Sequence, residues 1–328
     1  MRGVHRADKI VTALAARARH EISFRGRHQF DDRSKGSDSL LIVLCGYKPD
    51  LWPYTLARLP GAVGDSVDVC LVSAGRRETA LEDMAKRYGW SYLTTEANQM
   101  SRAQNLAVLA HLHAEWIYKI DEDIFIDRHF IPRLRSGFER VLADGEYQPG
   151  FCAPIINVNG FSYLTFLRLL GLEDDYVVRF GERRRGPRHV KAHYDGEAAT
   201  WIWERSLPFG AVAARIAGGP FEYSVVPHRF NIGAILLRRA FWQEIDGFRA
   251  HAVAGRLGFD EEQLCKECLT RGQVMVVVHD VLAGHFSFWP QEEAMRGLLK
   301  RRAADFATEV AGPGGSGGRR SGGSVAGG

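Results

Sequence analysis

Short apolar runs and amphipathic segments alternate between residues 40 and 120 of this 328-residue chain. Residues 40–45 are a continuous apolar run, as a strand buried on both faces requires. Further strands are predicted at 67–72, 90–94 and 116–120, and helices at 49–58, 78–88 and 101–113. This alternation predicts an α/β fold with a parallel, doubly wound sheet. Ligands bind such a sheet beyond the carboxyl ends of its strands.

The alternation is looser after residue 128. We predict helices at 130–142 and 201–217, strands at 151–158, 233–237 and 274–278, and a long polar stretch at 173–198. No internal repeat is visible in the sequence.

The positive charge of the chain is concentrated at its ends. Residues 1–38 hold nine Lys or Arg against five acids, and residues 312–328 add two Arg and no acid. The remaining body has a slight acidic excess, which argues against a nucleic-acid partner. A helix is predicted at 7–22, and it has two interpretations. It is either a surface helix or partly disordered arm, or an amphipathic helix that binds to an anionic membrane surface. The glycine-rich segment 312–328 is predicted to be a flexible tail.

Five widely spaced cysteines indicate a reducing compartment without disulfide bonds. The one CxxC, Cys265 to Cys268, is interpreted as two thiols on a helix, with a zinc knuckle as the alternative. No apolar run is long enough for a transmembrane helix, and the N-terminus lacks the apolar core of a signal peptide. We therefore expect a cytoplasmic protein, with peripheral contact at the inner face of the membrane through the basic arm as the alternative.

Three consecutive acids, Asp121-Glu122-Asp123, follow the strand at 116–120. In an extended segment Asp121 and Asp123 point to one side, about 7 Å apart, and Glu122 to the other. Two carboxylates at the carboxyl end of a strand suit Mn²⁺ or Mg²⁺, which keep positions open for phosphate oxygens. The alternative is an exposed acidic turn.

This acidic segment resembles the DXD element of GT-A-fold glycosyltransferases. Asn98, Arg102 and Asn105 are similar to residues of the family 2 pattern that open a helix one strand earlier. The resemblance covers about residues 40–290. It implies the nucleotide-diphospho-sugar transferase fold, with a mostly parallel, Rossmann-like sheet flanked by helices. It also implies metal-dependent, inverting transfer of a hexosyl group from a nucleotide sugar to an acceptor hydroxyl.

The same resemblance divides the chain. Residues 39–128 would bind the nucleotide-sugar donor and residues 129–311 the acceptor, between the basic arm at 1–38 and the tail at 312–328. The implied acceptor is a glycan or a lipid-linked acceptor in the synthesis of a surface polysaccharide or glycoconjugate. Five basic residues would suit an anionic acceptor, unless they belong to a solvated loop: Arg183, Arg184, Arg185, Arg188 and Lys191.

Later motifs fit the same family. Residues 229–248 resemble the strand and helix before the acceptor site. Asp260-Glu261 resembles the acidic motif that supplies the catalytic base, although the family usually has Glu-Asp. Either Asp260 or Glu261 is therefore the base. By the same resemblance His285 joins Asp121 and Asp123 as a metal ligand; its alternative is a structural histidine.

The nucleotide contacts are assigned to the ends of the first two strands. Gly46 and Tyr47 follow the first strand and Ser73 ends the second, where the family often has an aspartate. The donor-binding set implied by the resemblance adds residues from the later segments: Asn98, Arg102, Asn105 and Asp121. Arg102 is expected to contact the diphosphate. Three tryptophans are candidates for stacking on sugars or for the core: Trp201, Trp203 and Trp289.

Two other functions compete with glycosyl transfer. A sugar nucleotidyltransferase needs a glycine-rich loop after the first strand, and the segment Gly46 to Pro49 is too short and too poor in glycine. A non-catalytic nucleotide-sugar or carbohydrate-binding protein would not need acids at both the metal and the base positions. No GxGxxG or GxxxxGK[ST] motif follows the first strand, which excludes a dehydrogenase or a P-loop enzyme.

Overall fold

The computed structural model of the chain describes residues 20–187, 189–255 and 258–307. Within these residues ten strands form one mixed sheet. The strands are β1 His28–Asp31, β2 Ser39–Leu44, β3 Asp68–Ala74, β4 Ser91–Thr95, β5 Trp116–Asp121, β6 Ile124–Phe125, β7 Pro149–Ile156, β8 Tyr223–Val226, β9 Ala234–Arg238 and β10 Val274–His285.

Helices connect most of these strands. They are α1 Leu59–Val63, α2 Thr79–Tyr88, α3 Met100–Ala110, α4 Phe130–Asp144, α5 Tyr163–Leu170, α6 Glu173–Phe180, α7 Lys191–Tyr194, α8 Gly196–Glu204, α9 Phe209–Ala217, α10 Arg239–Glu244, α11 Phe259–Thr270, α12 Glu292–Arg301 and α13 Ala303–Phe306. Short 3₁₀ helices lie at Leu56–Arg58 and Trp289–Gln291.

The strand order is β1-β4-β3-β2-β5-β9-β7-β10-β6, with β8 also paired to β10. Strands β4, β3, β2 and β5 are mutually parallel. Strand β9 is antiparallel to both β5 and β7, while β7 and β10 are parallel. Most strands of the described sheet therefore run in one direction, and the predicted α/β class with a mostly parallel sheet is confirmed. The carboxyl ends of β2, β5 and β10 lie at the same edge.

The core is built on β2 and its neighbours. The side chains of residues 40–43 are fully buried, as the continuous apolar run predicted. Helix α3 packs against β2, β3 and β4, and α4 packs against β7 and β10. In α3, Ala103, Leu106 and Ala107 are buried at helical spacing. This packing fixes the strand ends that lead into the candidate site.

The prediction of a helix at 49–58 is wrong over most of that range. Residues 49–55 form turns, followed by the 3₁₀ segment and α1. Pro53 has no amide hydrogen to donate inside a helix. The hydroxyl of Thr55 donates a hydrogen bond to the carbonyl of Glu122, so this segment is held against the acidic motif.

The helix predicted at 201–217 is two helices, α8 and α9, because Pro208 interrupts the helical pattern. The polar stretch 173–198 contains α6 and α7. The strand predicted at 274–278 continues to His285, as β10.

Part of the segment predicted as an arm belongs to the sheet, because β1 pairs with β4. Residues 20–24 are helical, and the rest of the helix predicted at 7–22 lies outside the described residues. The tail predicted at 312–328 also lies outside them.

Candidate active site

A cavity of about 670 Å³ opens at the sheet edge where β2, β5 and β10 end. Strand β9 runs the opposite way, so the segment before it reaches the same edge. The volume is in the range of small-molecule sites, about 300–1,000 Å³. The structure brings seven of the predicted site residues to the wall of this cavity: Tyr47, Asn98, Asp121, Asp123, Asp260, Glu261 and His285.

Asp121 ends β5 at the floor of the cavity. Its Oδ1 lies 2.6 Å from Nζ of Lys119, which also donates to the carbonyl of Ile232 at 2.8 Å. The backbone amide of Asp121 donates to the carbonyl of Gly233, which ties β5 to the start of β9. Burial raises the pKa of the Asp121 carboxyl, and the Lys119 ammonium offsets part of that rise.

Asp123 is the most enclosed acid of the motif. Its Oδ2 lies 2.6 Å from Nζ of Lys48 and 3.4 Å from Nε2 of His285. Its carbonyl accepts the amide hydrogen of Phe286, so Asp123 and the end of β10 are held together. Burial alone would raise the pKa of Asp123, but the His285 ring and the Lys48 ammonium outweigh it and hold that pKa well below its usual range.

Glu122 is bound by the loop that follows β2. Its carboxylate accepts the amide hydrogens of Gly46 at 3.0 Å and Tyr47 at 2.9 Å, and the indole hydrogen of Trp52. Burial raises the pKa of Glu122, and these hydrogen bonds oppose the rise. Gly46 adopts φ +124°, and a β-carbon there would lie 3.3 Å from Oγ of Ser73. Glycine is therefore required at this turn.

The second pair of acids opens helix α11 on another wall of the cavity. Glu261 accepts from Nε of Arg229 at 2.5 Å and from Nδ2 of Asn231 at 3.0 Å. Burial raises the pKa of Glu261, while the Arg229 charge opposes the rise. Oδ2 of Asp260 accepts from Nε2 of Gln104 at 3.0 Å. Both candidate bases are thus held in place by side chains from other elements.

The side chains around the acidic motif include ligand types that a hard divalent cation accepts. Asp121 and Asp123 supply carboxylate oxygens and His285 an imidazole. Nδ1 of His285 is buried and has no hydrogen-bond partner among the described residues. Within residues 20–187, 189–255 and 258–307, no group of three or more His, Cys, Asp or Glu side chains is arranged to hold a metal ion. Phosphate oxygens and water would have to supply the remaining ligands.

Four predicted site residues do not line the cavity. Gly46 lies in the loop above Glu122. Ser73 is fully buried, with its hydroxyl 3.3 Å from that of Tyr92. Nε of Arg102 donates to the carbonyl of Ile22 at 2.7 Å. Asn105 bonds the backbone of Ser23 and of Phe248, together with the indole of Trp242. In this structure Arg102 and Asn105 fasten the segment around Ile22 and Ser23 and the turn at Phe248.

The three tryptophans divide between the core and the cavity mouth. Trp201 and Trp203 are buried, and Nε1 of Trp203 donates to the carbonyl of His285 at 2.8 Å. They belong to the core, so the prediction that these two rings stack on sugars is wrong. Trp289 lines the cavity mouth and is 90% exposed.

The turn beneath Trp289 is well fixed. The buried amide of Gln291 donates to the carbonyl of Ala192, and the Phe288 ring packs on His285 and His193. The exposed Trp289 ring, on a turn held in place by these contacts, is accessible to a ligand at the cavity mouth.

The described basic residues at 183–191 are engaged within the protein. Arg183 pairs with Glu173, and the side chains of Arg185 and Lys191 donate to Thr165 and to the Phe180 carbonyl. Arg188 lies outside the described residues. Pro187 and His193, rather than the described arginines of this stretch, reach the cavity.

Burial lowers the pKa of His193 to about 4, with the nearby His285 and Arg229 adding to the effect.

Several site residues were missed because their roles depend on distant partners: Lys48, Gln104, Lys119, Arg229 and Asn231. The signal that was available is position. Lys48 follows the first apolar strand, and Arg229 and Asn231 precede the strand at 233–237. Polar residues next to strand ends at the ligand-binding edge are candidates in any such sheet.

All five cysteines are free and buried, including Cys265 and Cys268 of the CxxC. Of the described helices, none combines the length and apolar character needed to cross a membrane.

No protein-family model and no curated protein matches this sequence. Solved structures do match, 171 chains in all. The mannosyltransferase PcManGT from Pyrobaculum calidifontis, in complex with GDP-Man and Mn²⁺, overlaps 92% of this chain and 71% of its own, at 13% identity and a TM-score of 0.47. S. aureus TarS 1–349 overlaps 81% of this chain and 65% of its own, at 12% identity and a TM-score of 0.42.

A further S. aureus TarS structure overlaps 80% of this chain and 39% of its own, at 12% identity and a TM-score of 0.42. The chain therefore spans less than two thirds of both TarS chains. At these identities and TM-scores, the similarity concerns the backbone fold and carries no argument about chemistry.

Proposed function

We propose that this protein is a glycosyltransferase that moves a sugar from a nucleotide-diphosphate donor to an acceptor hydroxyl, with inversion at the anomeric carbon. One observation carries the proposal. A single cavity at the carboxyl edge of the sheet is lined by two separate carboxylate pairs, Asp121 with Asp123 and Asp260 with Glu261. One pair suits a diphosphate-bound cation, and the other suits the acceptor hydroxyl.

The donor is assigned to the β5 side of the cavity. Asp121, Asp123 and His285 would hold Mn²⁺ or Mg²⁺, which would neutralise charge on the leaving diphosphate. Asn98 and Tyr47, two of the predicted nucleotide contacts, line the same cavity. The loop at Tyr47 is held by Glu122, so its position relative to Asp123 is set before the donor arrives.

The acceptor is assigned to the side of α11 and Trp289. Asp260 or Glu261 accepts the proton of the attacking hydroxyl, which is worth about 10²–10⁴-fold in rate. A base across the cavity from the diphosphate favours a single in-line displacement and hence inversion. Trp289 would support the acceptor sugar by stacking at the mouth.

The wider role follows the family resemblance. We place the protein in the cytoplasm, in the synthesis of a surface polysaccharide or glycoconjugate, with a hexose as the transferred group. The free cysteines support a reducing compartment. The basic arm is proposed to bring the protein to the inner face of the membrane; sedimentation with anionic vesicles, with and without residues 1–19, tests this contact.

The deciding experiment measures nucleotide release from UDP-, GDP-, dTDP- and CMP-sugars with Mn²⁺, with and without chelator. We expect release from one donor class, and a loss of at least about 100-fold in Asp123→Ala. Asp65→Asn, which alters a fully exposed carboxylate, is the matched control. Binding of a sugar nucleotide without any turnover would instead identify a binding protein. Absence of nucleotide binding would refute the proposal.

A further inference from the structure

Asp123 is paired with a cation supplied by the protein itself. Nζ of Lys48 lies 2.6 Å from Oδ2 of Asp123, the shorter of the two ion-pair contacts to that oxygen. The Asp123 side chain is 6% exposed and that of Lys48 is 29% exposed. A pair this enclosed is screened far less by salt than a surface pair.

The lysine is directed to this position by contacts from two sides. The loop before it is held by Glu122 through the amides of Gly46 and Tyr47. On the other side, Glu292 at the start of α12 lies 4.0 Å from Nζ of Lys48. Glu292 is itself bound by the hydroxyl of Ser287 at 2.5 Å and by Arg296 at 2.7 Å. Both segments that border Lys48 are therefore anchored.

A divalent cation and the Lys48 ammonium compete for the same carboxylate. Two positive groups at bonding distance from one oxygen repel each other strongly in a site of low dielectric constant. A metal ion would therefore bind Asp123 only in the fraction of molecules in which Lys48 has left it. Its apparent dissociation constant would equal the intrinsic constant divided by that fraction. Lys48 also lines the cavity, so a displaced ammonium remains within reach of an anionic ligand.

We propose that Lys48 is a tethered counter-ion that occupies the cation position at Asp123 until a divalent metal and a diphosphate arrive together. Asp123 would then be free to hold the metal ion, and Lys48 would move to the phosphate oxygens. Each ligand thereby favours the other, and this coupling is reciprocal. The inference rests on the proposed function for the identity of the diphosphate ligand.

The test measures Mn²⁺ binding to the full chain at constant pH. The electron paramagnetic resonance signal of free Mn²⁺ reports how much of the metal remains unbound. Lys48→Met removes the charge, Lys48→Gln is a second charge-free variant if the first does not fold, and Lys48→Arg retains the charge. Lys35→Met is the matched control, because Lys35 pairs with Asp65 at an exposed position. Without nucleotide, we expect the charge-free variants to bind Mn²⁺ about 10-fold or more tightly than wild type. The arginine variant and the control should remain near wild type.

Adding UDP or GDP measures the coupling. We expect the cognate diphosphate to tighten Mn²⁺ binding in wild type by more than it does in Lys48→Met. Unchanged or weaker Mn²⁺ binding in the charge-free variants overturns the inference, as does the absence of Mn²⁺ binding at millimolar concentration in every variant. If sugar transfer persists in either case, the proposed function stands. If transfer is never found but the variants tighten Mn²⁺ binding, the inference stands and the transferase proposal fails.

Discussion

The indole Nε1 of Trp52 donates a hydrogen bond to Oε2 of Glu122 at 2.7 Å, beneath the loop that leads from β2 into the cavity. The same carboxylate accepts the amide hydrogens of Gly46 and Tyr47. Glu122 therefore links the acidic motif of β5 to the loop that carries Lys48. The middle residue of the acidic triplet fixes the distance between its neighbour Asp123 and this loop.

Glu122→Gln should destabilise the protein by about 2–3 kcal/mol, because one amide oxygen cannot accept hydrogen bonds from three buried donors. Urea unfolding at neutral pH measures the loss. Glu115→Gln is the control, since that side chain is exposed. A loss no larger than that of the control would show that the loop is held by other contacts.

Replacing the catalytic base should lower kcat with little change in donor affinity. We expect a loss of about 10²–10⁴-fold in the variant that removes the base, Asp260→Asn or Glu261→Gln. Glu262→Gln on the same helical turn is exposed and outside the cavity wall, and serves as the control. Full turnover in both variants would contradict the mechanism.

The pH profile separates these two candidates. A base acts in its deprotonated form, and burial raises the pKa of Glu261. If Glu261 is the base, activity should climb with pH through a value above the ordinary 4.5 of glutamate, rather than at it. Measurement of kcat/KM from pH 4 to 9 in wild type and Asp260→Asn shows whether this rise occurs. Its absence from both proteins would exclude Glu261 as the base.

Trp289→Ala should raise the KM for the acceptor by roughly 2- to 13-fold, the equivalent of about 0.5–1.5 kcal/mol for a lost aromatic contact. Stability and donor hydrolysis should not change, because the ring is 90% exposed. Val178→Ala, another highly exposed apolar residue, is the control. The comparison needs acceptor titrations at saturating donor. An unchanged KM for the acceptor would remove Trp289 from the binding surface.

Acid should destabilise the protein through His193. Its pKa falls from the ordinary 6.5 to about 4 in the folded chain, so the unfolded chain binds the proton first. The stabilising contribution is present above pH 6.5 and is lost as the pH falls towards 4, by at most about 3 kcal/mol. Urea unfolding of wild type and His193→Asn across this range gives the difference. His113→Asn, at an exposed site, should retain the wild-type slope.

The parallel half of the fold could be predicted from the sequence because its signals are local. The run at residues 40–45 is apolar without interruption, and all six residues are buried in the structure. The positions of Asp121 and Asp123 at a strand end followed from the same pattern. The breaks at Pro53 and Pro208 were also local signals, but they were outweighed by the surrounding helical spacing.

The partners of the site residues could not be predicted in this way. Lys48 reaches Asp123 across 75 positions of sequence, and Gln104 reaches Asp260 across 156. Nothing near Trp203 or Trp289 in the sequence distinguishes the buried ring from the exposed one. Those differences are set by the packing of β10 and α8, which is a property of the whole fold.

The position of β9 has a consequence for synthesis of the chain. It pairs with β5 in the finished sheet, yet it begins at Ala234, 113 residues after β5 ends at Asp121. At about 5–20 residues per second, a ribosome needs roughly 6 to 23 s to make that interval. During this time the β5 edge of the nascent chain has no partner, which makes it the site where a chaperone is needed or where two nascent chains would associate.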